Sequence, residues 1–365
     1  MRIGIALLAA LSSAAAFAAP LRVGVFVDKG ARSNGCAAWV RLLTSSPDLD
    51  TTFLDGPAVR GGALEGLDVL VMPGGHSIVE SEQLEEAGRE AIRRYVRNGG
   101  RYLGTCAGCS LTLNEPMATR LRLIPFSRDP KSPRGGGESL TMKVTKRGEE
   151  LTGIKAGNHP VRYHNGPMLV PTKPLKDAEY EVIGKWNCDL SEKGTNSVCM
   201  FGHPSLVCGR YGKGRVFVTA GHPEHYPRSR DIVVGGFRYL TGVAPTFELK
   251  SRSRGAMCVG FYTPPMSGIE TAKTLAALEK DPALDVVAVQ NDDITAGRLE
   301  HLDALVLPDG DAAQYEKVYP EVASYVEAFA ERGGTTVAWG VGAKHLPKRG
   351  GREAEDGMRV REALR

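Results

Sequence analysis

The feature that most constrains this chain is that it repeats itself. Leu64–Gly75 reads LEGLDVLVMPGG and Leu299–Gly310 reads LEHLDALVLPDG, with eight of twelve positions identical at an offset of 235. The flanks agree as well. Val23-Gly24-Val25-Phe26 matches Val259-Gly260-Phe261-Tyr262, and the YVRNGG of Tyr95–Gly100 resembles the FAERGG of Phe329–Gly334. Such self-similarity implies two related units. Each repeated core is a short apolar run ending in Pro and Gly, the pattern of a buried strand leading into a tight turn.

Strands and helices alternate around these cores. Leu21–Val27 (LRVGVFV), Leu67–Met72 and Arg101–Thr105 read as buried strands. Residues 37–43 and 84–96 read as helices, the second stopped by Asn98-Gly99-Gly100. The pattern predicts an α/β fold, a flavodoxin-like open parallel sheet covered by helices on both faces. From Asn114 to Asn196 the texture changes to Pro, Gly and charge, with strand candidates at Leu140–Val144 and Tyr180–Trp186. Ser205–Gly221 reads as a hairpin turning at Gly212-Lys213-Gly214. These signals divide the chain into residues 19–247, a shorter repeated α/β unit at 255–346, and a charged tail at 347–365. Glu248–Arg254 would link the two units.

Composition excludes several classes. With 365 residues, 42% of them apolar, the chain has room for two packed domains. Its 46 basic residues are nearly matched by 42 acidic ones, so nucleic acid is not an expected partner. The N-terminal 18 residues combine Arg2, an apolar run from Ile3 to Leu11 and an Ala16-Phe17-Ala18 cleavage pattern. They read as a secretory signal peptide, which predicts an exported protein, periplasmic or extracellular, without a membrane span. Seven cysteines are an odd number, so in an oxidising compartment at least one stays unpaired within the chain.

Chemistry concentrates where the third strand ends. Gly104-Thr105-Cys106-Ala107-Gly108 has the spacing of a nucleophile elbow, in which small neighbours let a sharp turn expose the nucleophile. A following helix would point its free N–H groups at the same spot. The bland alternative is a structural cysteine in a glycine-rich turn. Gly221-His222-Pro223-Glu224 follows another buried strand. A catalytic cysteine needs a base, and the base needs an orienting group. His222 and Glu224 supply both if their strand lies beside the elbow strand; otherwise His-Pro-Glu is a surface turn.

Together the elbow GTCAG and the later GHPE resemble the class I glutamine amidotransferase-like superfamily. More narrowly, MPGG, YVRNGGRYLGTCAG and the YHNG of Tyr163-His164-Asn165-Gly166 resemble the domain at the N-terminus of some biotin-protein ligases. The resemblance covers about residues 21–245. It implies Cys106 as nucleophile, His222 as base and Glu224 as orienter. It also implies an oxyanion hole from the Ala107 N–H with that of Gly74 or Gly75, and a substrate pocket at Tyr163, His164, Asn165 and Gly166. Two departures stand out. Cys109-Ser110-Leu111 occupies the place of the usual glutamine-recognising Gln, and neither a synthetase nor a biotin ligase domain follows.

The expected activity is therefore cysteine-dependent hydrolysis or transfer at an amide or related acyl bond of a small-molecule or peptide substrate. The alternative is a noncatalytic module that binds a ligand or peptide on the same fold. Neither a cofactor nor a metal is expected, because the histidines and cysteines lack ligand spacing. His76 stands at the site mouth or in a solvent-facing turn. In the second unit Gly340 falls on Cys106 and Gly342 on Gly108, so that unit reads as a degenerate copy without a nucleophile. With Cys106 kept free, six cysteines allow fifteen full pairings. Cys188 with Cys199 is the expected pair, closing a short loop rich in Gly, Ser and charge, and Cys258 reads as a core thiol.

Overall fold

The computed structural model describes residues 19–31, 33–135, 140–189, 200–225, 227–249 and 255–364. The expected signal peptide, Cys199 and most of the linker lie outside these residues. The chain begins with β1 (Leu21–Phe26), α1 (Ser33–Thr44), β2 (Leu49–Leu54), α2 (Gly56–Arg60) and β3 (Val69–Met72). Next come α3 (Ser77–Arg97), β4 (Arg101–Thr105) and α4 (Ala107–Leu111). An excursion follows through β5 (Phe126–Arg128), β6 (Leu140–Val144), α5 (Lys146–Thr152), β7 (Gly157–Val161), β8 (Leu169–Pro171) and β9 (Ala178–Trp186). The hairpin β10 (Pro204–Tyr211) and β11 (Gly214–Thr219) returns to the sheet, and α6 (Arg230–Thr241) packs on it.

These elements build a nine-stranded sheet in the order β2-β1-β3-β4-β11-β10-β9-β6-β7. From β2 to β11 it is parallel, which accounts for strands apolar on both faces: β3 is buried throughout. β10, β9, β6 and β7 extend it antiparallel. Helix ends follow local rules. Asp55 caps α2 through the Ala58 N–H, and Gly153 and Gly242 end α5 and α6 in the left-handed conformation.

The repeat makes a second sheet. Its elements are β12 (Met257–Tyr262), α7 (Ile269–Lys280), β13 (Leu284–Val289), α8 (Asn291–Thr295) and β14 (Ala304–Leu307). They continue with α9 (Ala312–Val318), α10 (Ala323–Glu331), β15 (Thr335–Ala338), β16 (Gly351–Glu353) and α11 (Val360–Ala363). The order β13-β12-β14-β15-β16 is that of the first five strands, all parallel. Register is kept too. Val23 faces Thr51 and Val69, and its counterpart Val259 faces Val286 and Ala304.

Residues 347–365 correct the expectation of a charged tail. They supply β16 and α11, with Val360 and Leu364 buried. Glu353 faces Ala338 as Val218 faces Gly104, so β16 is the counterpart of β11. The repeat therefore runs to the end of the described chain. Its surface charge, and a strand only three residues long, hide it from hydrophobic periodicity.

The two units share one core. A contiguous apolar cluster runs from Val23 and Trp39 to Leu275 and Trp339, while a smaller one around Tyr262, Tyr315 and Phe329 belongs to the second unit. Between them, α1 packs on α7, Arg41 pairs with Glu279 at 2.5 Å, and the Gly268 N–H donates to Val27 O at 2.6 Å. The Thr263 hydroxyl donates to Asn34 Oδ1 at 2.7 Å. A chain ending at Phe247 would uncover the α1 side of this core. The expected result is a lower melting temperature or loss of soluble protein; an equally stable truncated chain would show the contact to be dispensable.

Candidate active site

The site is built around one strained turn. Cys106 follows β4 with φ 49° and ψ −99°, a left-handed conformation that costs a non-glycine residue about 1–3 kcal/mol. Packing on every side holds it there. Its N–H donates to Thr219 O at 2.9 Å, tying the elbow to β11. The Tyr102 hydroxyl donates to Gly108 O, and Trp39 Nε1 donates to the Thr105 hydroxyl. A Cβ on Gly108 would lie 2.1 Å from Met72 O, so only glycine lets α4 approach β3 so closely. With five residues, α4 is shorter than the expected helix.

β11 lies beside β4, so the chain that follows it delivers His222 and Glu224 to the elbow. His222 Nδ1 and Glu224 Oε1 are 2.9 Å apart, and the His222 ring and the Cys106 Cβ both lie against Gly74. All three are buried, and the Glu224 side chain is fully so. Burial pulls the His222 pKa down, but the charges of Cys106 and Glu224 prevail and push it up to about 10. Gly74, at the end of β3, forms the wall behind the ring. A Cβ there would stand 2.3 Å from His222 Cε1 and 3.3 Å from Cys106 Cβ. The Ala107 N–H is an orphan donor at the start of α4, and Gly75 beyond Gly74 is exposed.

The YHNG segment lies against the same place. The His222 N–H donates to Arg162 O at 2.8 Å, and the Cys106 thiol donates to His164 O at 3.4 Å. Its side chains divide in function. Tyr163 is buried, stacked edge-on against Trp186, and donates to Gly166 O, so it props the segment rather than lining a pocket. Asn165, at φ 55°, accepts from the Gly135 N–H. Gly166 is packed against Ala220 O. The His164 ring is exposed; partial burial and the nearby Arg162 and His222 lower its pKa, against Asp292 of α8. His76 is exposed and caps α3 by accepting from the Val79 N–H at 3.5 Å.

Among the described residues, His222, Glu224 and His225 form a set of metal-ligating atoms within 4.8 Å of one another. His222 and Glu224 already bond each other, and Arg162 Nη1 stands 3.4 Å from His225 Nε2. Cys36, Cys106, Cys109, Cys188 and Cys208 are thiols. Burial, then the charge of Cys106, raises the Cys109 pKa. Cys188 bonds the Thr141 backbone.

Sequence reasoning missed Glu80. It is fully buried on α3, with both carboxyl oxygens unbonded, and burial followed by the Cys106 charge holds its pKa well above the usual range. Glu80 and Leu84 are buried on the first segment of α3, which kinks at Glu85 (φ 55°), and Gly88 and Ile92 are buried beyond the kink. The kink separates Glu80 from the helical period of residues 84–96, so that period does not reveal it.

The second unit shows what a closed version of this site looks like. Gly340 keeps the left-handed elbow at φ 57°, and Gly357, by register with β11, stands where the first unit has His222. Asp309, the counterpart of Gly74, accepts the Val341 N–H at 2.8 Å. Val341 corresponds to Ala107, so in the second unit a built-in carboxylate takes the N–H that follows the elbow.

Residues 65–113 match the family model described as "Biotin-protein ligase, N terminal". Pyridoxal 5'-phosphate synthase subunit PdxT of Corynebacterium jeikeium (strain K411) is 44% identical over 62 residues. That match covers 17% of this chain and 32% of the relative, so the chain spans about a third of the curated relative's length. Among solved structures, PurLQS from Thermotoga maritima is 14% identical with a TM-score of 0.40, covering 60% of this chain and 99% of that one. A provisionally named GMP synthase component from Thermoplasma acidophilum is 20% identical with a TM-score of 0.40, covering 60% and 94%. Scores at that level fix neither register nor residue role. The sheet order, the elbow and the matched segment give a class I glutamine amidotransferase-like fold with biotin-protein ligase N-terminal similarity.

Two outcomes follow from this geometry. Gly74→Ala drives a methyl into the His222 ring, and alkylation of Cys106 should slow at least tenfold while the fold survives. An unchanged alkylation rate would show that the ring is not held by Gly74. Glu80 gives a pH dependence. Its carboxyl ionises above pH 4.5 in the unfolded chain but stays neutral in the folded one. Stability is therefore lost as pH rises above 4.5, at up to roughly 1.4 kcal/mol per pH unit. Thermal melts of Glu80→Gln should show a smaller loss between pH 5 and pH 8 than those of the parent; parallel curves would contradict the neutral carboxyl.

Proposed function

We propose that this protein is an exported cysteine-dependent hydrolase or transferase acting on an amide or related acyl bond through Cys106, His222 and Glu224. The observation that carries the reading is His222 itself, bonded to Glu224 at 2.9 Å and set with Cys106 against Gly74, all three members buried. Export rests on the pattern of the first 18 residues.

In this reading the Cys106 sulfur, its proton passed to His222, attacks the substrate carbonyl carbon and forms a C–S bond. The carbonyl oxygen becomes an oxyanion, facing the Ala107 N–H and that of Gly74 or Gly75. Collapse breaks the bond to the leaving amine, which takes its proton from His222. The thioester is then attacked by water or another acceptor, whose proton His222 removes, and the Cys106 sulfur departs. Glu224 holds the imidazole in place and stabilises its charged form.

The test is a panel of amino-acid and short-peptide anilides, with the acyl-enzyme sought by intact mass. Cys106→Ser should abolish turnover and the adduct while leaving the melting temperature within a few degrees. Glu224→Gln should lower kcat about a hundredfold or more. Turnover unchanged in Cys106→Ser would overturn the reading, and a saturable ligand never cleaved would replace it with a binding module.

A further inference from the structure

A cleft between the two units touches the reaction scheme only through Glu224, one of its lining residues. It measures about 300 Å³. On one side it is bordered by Asn34 and Arg41 of α1, by Glu224 and His225, and by Arg230 at the start of α6. On the other side stand Val287, Ala288 and Arg298 of the second unit.

Its charge is unbalanced. Three guanidinium groups face a single carboxylate, Glu224, which is bonded to His222. Arg41 is paired with Glu279 at 2.5 Å. Among the described residues neither Arg230 nor Arg298 has a carboxylate partner, and Arg230 Nε is buried without an acceptor. Burial first, and then the nearby Arg41, lowers the pKa of Arg230. The remaining titratable neighbour, His225, offers no counter-charge. Burial, with His222 and Arg162, brings its pKa down to about 2, so it is neutral. A half-buried cation set beside another and left without an anion is unfavourable, and a bound anion would relieve that cost.

We propose that this inter-unit cleft is a binding site for a doubly charged oxyanion of the phosphate class, with Arg230 and Arg298 as its principal ligands. Two uncompensated guanidinium groups match two negative charges. Their planar forks, arriving from different units, suit a tetrahedral oxyanion that presents oxygens in several directions. Asn34 adds a polar side chain whose Oδ1 is already taken by Thr263, which leaves its amide nitrogen as a donor. Because one principal ligand comes from each unit, the anion would also bridge them, stabilising the folded two-unit arrangement over the unfolded chain.

The experiment is a thermal-shift and calorimetric titration of the full chain with inorganic phosphate and with methyl phosphate, against sodium chloride at matched ionic strength. A saturable rise in melting temperature with phosphate is expected, and tighter binding of methyl phosphate would assign the site to a monoester. Arg230→Gln and Arg298→Gln should each weaken binding about tenfold, the effect of losing one charge-assisted contact. Arg298 is exposed, so its variant stays informative if Arg230→Gln fails to fold. Cys106→Ser should bind as the parent does, separating this cleft from the anion hole at the elbow. A rise no larger than sodium chloride gives, undiminished binding in Arg298→Gln, or loss of binding in Cys106→Ser would each overturn the proposal.

Discussion

The left-handed turn at Cys106 is the constraint on which the rest of this structure depends. A cysteine adopts that conformation only where its surroundings leave no other choice. Here the turn is pinned from three directions: Thr219 on β11 holds its N–H, Tyr102 holds the carbonyl of Gly108, and the missing side chain of Gly108 lets α4 sit against Met72 O. Strain at one residue is thus offset by contacts spread over β3, β4 and β11. The same three strands end at the site, so the packing that forces the turn also brings Gly74 and His222 to it.

The two units show how one scaffold is opened or closed by a few residues. Both keep strand order, register and the positive-φ elbow. In the first, the chain leaves after α4 and returns about a hundred residues later as β10 and β11. That excursion contributes the segment from Arg162 to Gly166 that meets His222 and Cys106. In the second, the elbow at Gly340 leads directly to β16. Among the described residues no such excursion follows it, and Asp309 places its own carboxylate on the Val341 N–H. A fixed internal anion in that position leaves no room for a developing external one. The second unit instead shares a core with the first through α1 and α7.

Much of this was legible in the sequence because its signals are local. The strands of the parallel sheet announce themselves as apolar runs, and the hairpin turn at Gly212-Lys213-Gly214 and the helix stop at Asn98-Gly99-Gly100 are written in turn chemistry. The GTCAG and GHPE segments are visible for the same reason, since an elbow and a strand end each need particular residues in a row. What escaped was held by long-range contact. β16 is too short and too charged to show a period. Tyr163 reads as a pocket residue until Trp186 and the carbonyl of Gly166 claim both its ring and its hydroxyl. Glu80 lies on the segment of α3 before the kink at Glu85, outside the helical period that residues 84–96 show.

The sequence by itself determined the class of fold, the existence of a repeat and the residue types at each strand end, because backbone propensity and hydrophobic period act over a few residues at a time. Only the tertiary structure decided that β11 lies beside β4, and with it that residues 106 and 222 meet at one sheet edge. It also decided that Asp309 closes the second elbow, and that Arg230 and Arg298 face one cleft from different units. These arrangements join residues far apart in the chain, and their energy comes from excluded water, matched shapes and the desolvation of charge. None of these exists until the sheets have closed over one another.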